Sequence, residues 1–190
     1  MPEQKNVSLY QQQKAIKPLI EDIIPEFLDG DMRKSALDFV AHLRANKMKP
    51  VWCLTNQWNA NYKGKTICKI HLRNGGGGWS NIERRDRDYW IIQLYRSHMH
   101  EYEETIMNDG LQNIIWDNIV YCRSCKPKGE SRVGCAPGVN IKLLGKEIKG
   151  VCGCNWTTWI FDPDEATVNG IKRLLELEQK ARTESVHKEI

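Results

Sequence analysis

The chain has no apolar run approaching the roughly 20 residues that cross a bilayer. Its first twenty residues, "MPEQKNVSLYQQQKAIKPLI", hold no uninterrupted apolar core of secretory length. Both absences read as a cytoplasmic protein. Phe is scarce, three against seven Trp, so Trp supplies most of the large aromatic surface, for the core or for a pocket. A strong charge of one sign is also missing: 28 Lys and Arg against 24 Asp and Glu leave only +4. A dedicated nucleic-acid binder usually carries a larger excess on one face. Catalytic signatures are lacking as well. "NGGGGWS" has no Gly-Lys-Ser/Thr ending and opens no predicted helix, so it reads as a flexible connection and not as a phosphate loop. There is no H-E-x-x-H, no nucleophile elbow and no dinucleotide fingerprint.

What is present suits one domain of 190 residues, long enough to bury a core without covalent help. Residues 1–24 read as a polar, Gln-rich lead-in, with a short helix or turn over Leu19–Leu28 interrupted near Pro25. In "GDMRKSALDFVAHLRANKMKP", Met32, Ala36, Phe39, Val40 and Leu43 recur at helical spacing, and Pro50 forbids continuation. Strands follow in "VWCLTN" and "WNANYKGKTICKIHL", with a turn at Lys63-Gly64. Cys68, Ile70 and Leu72 share one strand face, and Lys69 and His71 share the other. "YWIIQLY" is apolar on both faces, as a central strand should be. A helical region from Glu101 breaks at Asp109-Gly110, and two short strands then flank a turn at Gly145-Lys146. In the last helix Asp162 is the expected N-cap, Pro163 the first helical residue and Glu165 part of a capping box. Beyond Arg182 the tail, residues 183–190, is expected to fray. The fold class is α+β: an antiparallel sheet packed with helices over residues 25–182, with a cysteine-bearing insertion at 121–155.

That insertion carries the clearest chemistry. Cys122-x2-Cys125-x9-Cys135-x16-Cys152-x-Cys154 puts five of the seven cysteines in two Gly-containing turns. In a reducing compartment such clusters are metal ligands or redox groups more often than disulfides. Zinc takes four tetrahedral ligands, thiolates among them. The expected set is Cys122, Cys125, Cys135 and Cys152, with Cys154 as the alternative to Cys135 or Cys152. Unligated structural cysteines, thiol redox work and an iron–sulfur cluster are the competing readings. The C-x2-C pair follows the C-terminal end of a predicted helix, where the dipole raises a thiol pKa, and this weighs against redox catalysis. A closed four-thiolate site has no open position, so it would hold structure and do no chemistry. Cys53 and Cys68 read as small buried hydrophobes.

The remaining candidates compete with plainer roles. His98 and His100, with Glu101, Glu103 and Glu104 after them, could approach a metal, but no third ligand stands at a fixed spacing. Arg84, Arg85 and Arg87 sit among three acids, Glu83, Asp86 and Asp88, in a self-compensating loop. If strand aromatics converge on a ligand pocket, Trp52, Trp58, Tyr62 and Trp90 are its expected lining.

"DMRKSALDFVAHLRANKMKPVW", "YKGKTICKI" and "FDPDEATVNGIKRLLEL" resemble segments of a set of small uncharacterised bacterial proteins. Their order over about residues 25–180 is similar to that of YdhG/YdeI-like α+β domains. The resemblance implies a leading helix, a Trp-containing strand, a hairpin and a closing strand plus helix. It implies no catalytic residues, and the cysteine segment departs from the pattern. The expectation is a non-enzymatic module that binds a small molecule or a protein, with structural zinc. The alternatives are a nucleic-acid-binding or regulatory protein that presents Arg123, Lys126, Lys128 and Arg132, and a thiol-dependent enzyme.

Overall fold

The computed structural model describes residues 7–75, 87–95, 97–119, 139–151 and 157–188. Three helices come first: α1 (Leu9–Ile16), α2 (Ile20–Phe27) and α3 (Gly30–Ala45). Strands β1 (Lys49–Leu54), β2 (Gln57–Tyr62), β3 (Lys65–Arg73) and β4 (Tyr89–Tyr95) follow. Short helices α4 (Glu103–Asn108) and α5 (Gln112–Trp116) lead to the hairpin β5 (Val139–Leu143) and β6 (Lys146–Val151). Strand β7 (Thr157–Phe161) and helix α6 (Glu165–Lys188) close the chain. The five main strands are antiparallel in the order β1-β2-β3-β4-β7, and β5-β6 is a separate two-stranded ribbon. The expected α+β fold, a meander packed with helices, is the observed one.

One sheet face carries Trp58, Ala60, Cys68, Ile70, Leu72, Trp90, Ile92, Leu94 and Ile160. These residues join Ile20 and Ile24 of α2, Phe39, Val40 and Leu43 of α3, and Ile171, Leu174 and Leu175 of α6 in one core. The spacing of the apolar residues on α3 explains its place, since Ala36, Phe39, Val40 and Leu43 are all buried. Helix α2 runs through Pro25 instead of stopping there. Pro50, with no N–H to give a ladder, lies on the edge strand β1. Strand β4 is buried on both faces from Tyr89 to Leu94, as its sequence demands.

Two local expectations are corrected. Asp162 does not cap α6. It adopts the left-handed region at φ 42°, and its Oδ1 accepts the Trp90 N–H at 3.0 Å while its own N–H donates to the Trp90 carbonyl at 2.9 Å. Asp164 takes the capping role: its Oδ1 accepts the Thr167 N–H at 2.8 Å, and hydrogen bonding from Thr167, its side chain first and then this N–H, holds the carboxyl below the usual range. Pro163 therefore precedes the cap. The second correction is at the ribbon's tight turn. It is made by Leu144 and Gly145, at φ 51° and 73°, and not by Gly145 and Lys146.

The core also holds a charged group. Glu178 on α6 accepts the Tyr102 hydroxyl at 2.6 Å and the Arg182 Nε at 2.7 Å. Burial, then the Glu178 charge, pushes the Tyr102 hydroxyl pKa upward, so it stays protonated and donates. Gln13 of α1 ties that helix to the sheet, beside the contact of Tyr10 with Trp52. Gln13 donates to Asn56 Oδ1 at 2.6 Å and accepts from the Asn56 N–H and from Trp52 Nε1.

Candidate functional site

Cys122, Cys125, Cys135, Cys152 and Cys154 lie outside the described residues, as do Arg123, Lys126, Lys128 and Arg132. The backbone that leads into and out of their segments is described. Ile119, just before the first segment, forms an antiparallel bridge with Thr158 of β7, and the Trp159 N–H donates to the Asn118 carbonyl at 3.1 Å. Val139, at the far end of that segment, pairs with Val151, the last residue before the second. Ile119, Ile148 and Val151 belong to one hydrophobic cluster, with Trp116, Ile141 and Leu143 against it. All four chain ends thus come from one junction between the ribbon and the sheet. Cys122, Cys135, Cys152 and Cys154 each fall within four residues of these anchors, and Cys125 within six.

The ribbon is held at three levels. At its base are the Ile119, Ile148 and Val151 contacts. At mid-height Trp116 Nε1 donates to the Leu143 carbonyl at 3.1 Å, and Lys146 Nζ lies 5.1 Å from the Trp116 ring centroid. At the turn Glu103 accepts the Gly145 N–H at 3.0 Å, and Leu144, 1% exposed, plugs into the main core. A leucine at positive φ is strained, and burial of its side chain offsets that cost.

The opposite face of the main sheet holds a buried polar chain. His71 Nε2 lies 3.1 Å from Gln93 Oε1, Gln93 Nε2 donates to Thr157 Oγ1 at 3.2 Å, and Trp159 Nε1 donates to the same oxygen at 2.8 Å. An amide oxygen only accepts, so His71 carries its proton on Nε2. Its Nδ1 then faces Arg73 Nη2 at 3.5 Å as an acceptor. The imidazole stacks on Trp159 with centroids 5.2 Å apart. Burial, with help from Arg73 and Lys69, lowers the His71 pKa to about 4, against the Gln93 bond, which favours the cation. The ring is neutral at pH 7. Sequence reading placed His71 on this face but not its partners. Those come from two other strands, and their one sequence signal is a lone Gln in the apolar run of β4 and two Thr in β7.

The four expected pocket residues all belong to the main core or pack against it, and Trp52 lies directly across from Trp58 in the β1-β2 pairing. Trp58 and Trp90 are core residues; Trp58 Nε1 donates to the Pro18 carbonyl at 2.9 Å, and Trp90 packs on Phe39. Trp52 is half-buried beneath Tyr10 and Gln13, and the Tyr62 hydroxyl meets Thr183 Oγ1 at 3.2 Å. One cleft among the described residues lies at the starts of two helices. It is a groove of about 520 Å³ between the starts of α3 and α6, lined by Asp31, Lys34, Asp38, Arg87, Asp164 and Glu165 among others. Much of its acidity serves those two helix starts, where carboxylates oppose the dipole.

Histidine and thiol chemistry find little support among the described residues. His98 Nδ1 pairs with Glu101 at 2.8 Å, while Glu103 turns to the ribbon. No group of three His, Cys, Asp or Glu is arranged for a metal among the described residues. Burial raises the Cys53 pKa and pushes Cys68 up to about 12, so both stay as thiols and are poor nucleophiles. No described helix is long and apolar enough to cross a membrane. Comparison with known families, curated proteins and solved structures finds no match to this chain.

Proposed function

We propose that the chain is a non-enzymatic binding module in which a structural zinc ion closes the two cysteine segments onto the ribbon. The zinc would be held by Cys122, Cys125, Cys135 and Cys152, with Cys154 as the alternative to Cys135 or Cys152. One observation carries the reading: both segments start and end at a single junction, through the Ile119–Thr158 and Val139–Val151 pairings. A residue advances the chain by at most about 3.6 Å, so cysteines one to six residues from such anchors start within reach of one another. Four thiolates fill a tetrahedral site, which leaves zinc no open position for substrate. Its contribution is to hold the ribbon and its neighbouring segments as one surface.

Metal analysis of purified protein tests this. The expected result is about one zinc per chain, lost together with thermal stability in Cys122→Ser and in Cys125→Ser. A metal-free protein with an unchanged melting temperature in the presence of chelator would overturn it.

A further inference from the structure

A helix on the surface of a monomer normally buries its apolar side and shows its polar side to water. Helix α1 does the reverse. Its one buried residue is Gln13, bonded to Asn56 and Trp52. Its aliphatic residues face outward, with Leu9 48% exposed and Ile16 71%. These two stand seven residues apart, close to two helical turns, and so share a side. With Val7, Tyr10 and Leu19 they make five of the eight large apolar side chains that are exposed among the described residues. The helix that presents them is firmly ended. Ser8 and Gln11 close a capping box at its start. Lys17 stops it in the left-handed region, with its N–H donating to the Gln13 carbonyl at 2.7 Å.

Charge changes sign where this patch ends. Residues 7–20 carry Lys14 and Lys17 and no acid; residues 21–31 carry Glu21, Asp22, Glu26, Asp29 and Asp31 and no base. Glu21 is taken by Arg44. Asp22 and Glu26, four apart, share the outer side of α2, away from the buried Ile20 and Ile24. Neither these two acids nor the two lysines are in an ion pair among the described residues.

We infer that this patch is the interface of a two-fold homodimer, with α1 of one copy laid antiparallel against α1 of the other. A segment that is basic in one half and acidic in the next complements itself when turned about a two-fold axis. Lys14 and Lys17 of each copy then meet Asp22 and Glu26 of its partner, while Leu9, Ile16 and Leu19 pack at the centre. The five apolar side chains offer on the order of 500 Å² per copy, so the pair buries about 1,000 Å², the lower end for specific association. A dimer that dissociates in the micromolar range follows. The charge pattern selects against other occupants. Acids at the rim repel the anionic headgroups that a basic amphipathic helix seeks. Edge-to-edge pairing of β1 is blunted by Pro50 and by the irregular register between Trp52 and Leu54. The inference stands apart from the zinc reading, since residues 7–31 hold no cysteine.

Sedimentation velocity of the full chain across a micromolar concentration series tests it. The expected result is a sedimenting mass that rises from one chain to two and stops there. Ile16→Glu should weaken the dimer at least tenfold, since it places a charge at the centre of the contact. Its far-UV spectrum should be unchanged, because the side chain is exposed. Val51→Lys, on the sheet face away from Trp52 and α1, should leave the dimer intact. Lys14→Glu/Lys17→Glu should weaken it, and adding Asp22→Lys/Glu26→Lys to the same chain should restore it. That restoration decides the matter even if Ile16→Glu fails to fold. A chain that stays monomeric throughout the series overturns the inference. So does a dimer that survives Ile16→Glu, or one that reversal of both charged halves does not restore. Growth beyond two chains overturns it as well, as does loss of the dimer in Val51→Lys. Ile16-dependent binding to phosphatidylserine vesicles without self-association would assign the patch to lipid instead.

Discussion

A histidine that is 1% exposed and faces an arginine has nowhere to put a second proton. His71 stays neutral in the folded chain until pH falls to about 4, but an unfolded chain protonates it near its ordinary 6.5. Between those values the unfolded state binds the extra proton, so stability rises with pH across the window. The contribution is complete above about 6.5 and is lost as pH drops toward 4. It amounts to about 3 kcal/mol, from a difference of two to three pKa units. Urea titrations of the wild type and His71→Gln at several pH values check this. The two stability curves should diverge in slope between pH 6.5 and 4 and run parallel above 7. Parallel curves throughout would show that the ring is reached by solvent.

Among the elements, the ribbon is the one whose attachment is least visible in its own strands. Its alternation of Ile141, Leu143 and Ile148 with lysines marks two half-buried strands, and the turn is marked by Gly145. The anchor is Leu144, which looks like a turn residue in an unfavourable place and is a core residue in fact. Periodicity could not show this, because the apolar surface that receives Leu144 comes from distant elements. The same limit explains Asp162. Local capping rules favoured it, but the open N–H of Trp90 on β4 competed for its carboxylate and won. By contrast α3, β3 and β4 were legible, since each has a burial pattern set by its own period of 3.6 or 2. Leu144→Ala removes the plug and should cost about 2–4 kcal/mol, as large-to-small core changes do. A chemical denaturation midpoint measures it. Leu144→Asn suits the turn better, yet it should also destabilise, because the lost burial exceeds the gain in backbone preference. A neutral Leu144→Ala would mean that the turn is not seated in the core.

At the scale of the molecule, the helices and the first four strands make a framework, and the zinc proposal concerns what is suspended between β4 and β7. The expected ligands of the metal and the ribbon lie in that interval. The α+β fold was readable because it depends on patterns within elements. The placement of the ribbon was not, because it depends on Ile119 meeting Thr158 and on Trp116 meeting Leu143, contacts between residues far apart in sequence. The spacing of the cysteines raised the expectation of a metal site, and the zinc proposal builds on the described pairings at the ends of their segments.

The pairing of β4 with β7 has a kinetic consequence. These neighbours in the sheet join residue 95 to residue 157, across the whole interval that carries the ribbon. Bringing such distant strands together costs loop entropy that grows with the length left free. Strands β1 to β4 pay far less, since each meets the next across a short turn or a single connection. Folding should therefore run in two stages, with the meander and α3 first and β7 with α6 second. Metal captured by the cysteines before the second stage would shorten the open loop. Stopped-flow refolding should be faster with zinc than with chelator, while the unfolding rate reports separately on how firmly the finished site holds. Equal refolding rates would mean that the sheet closes without help from the metal.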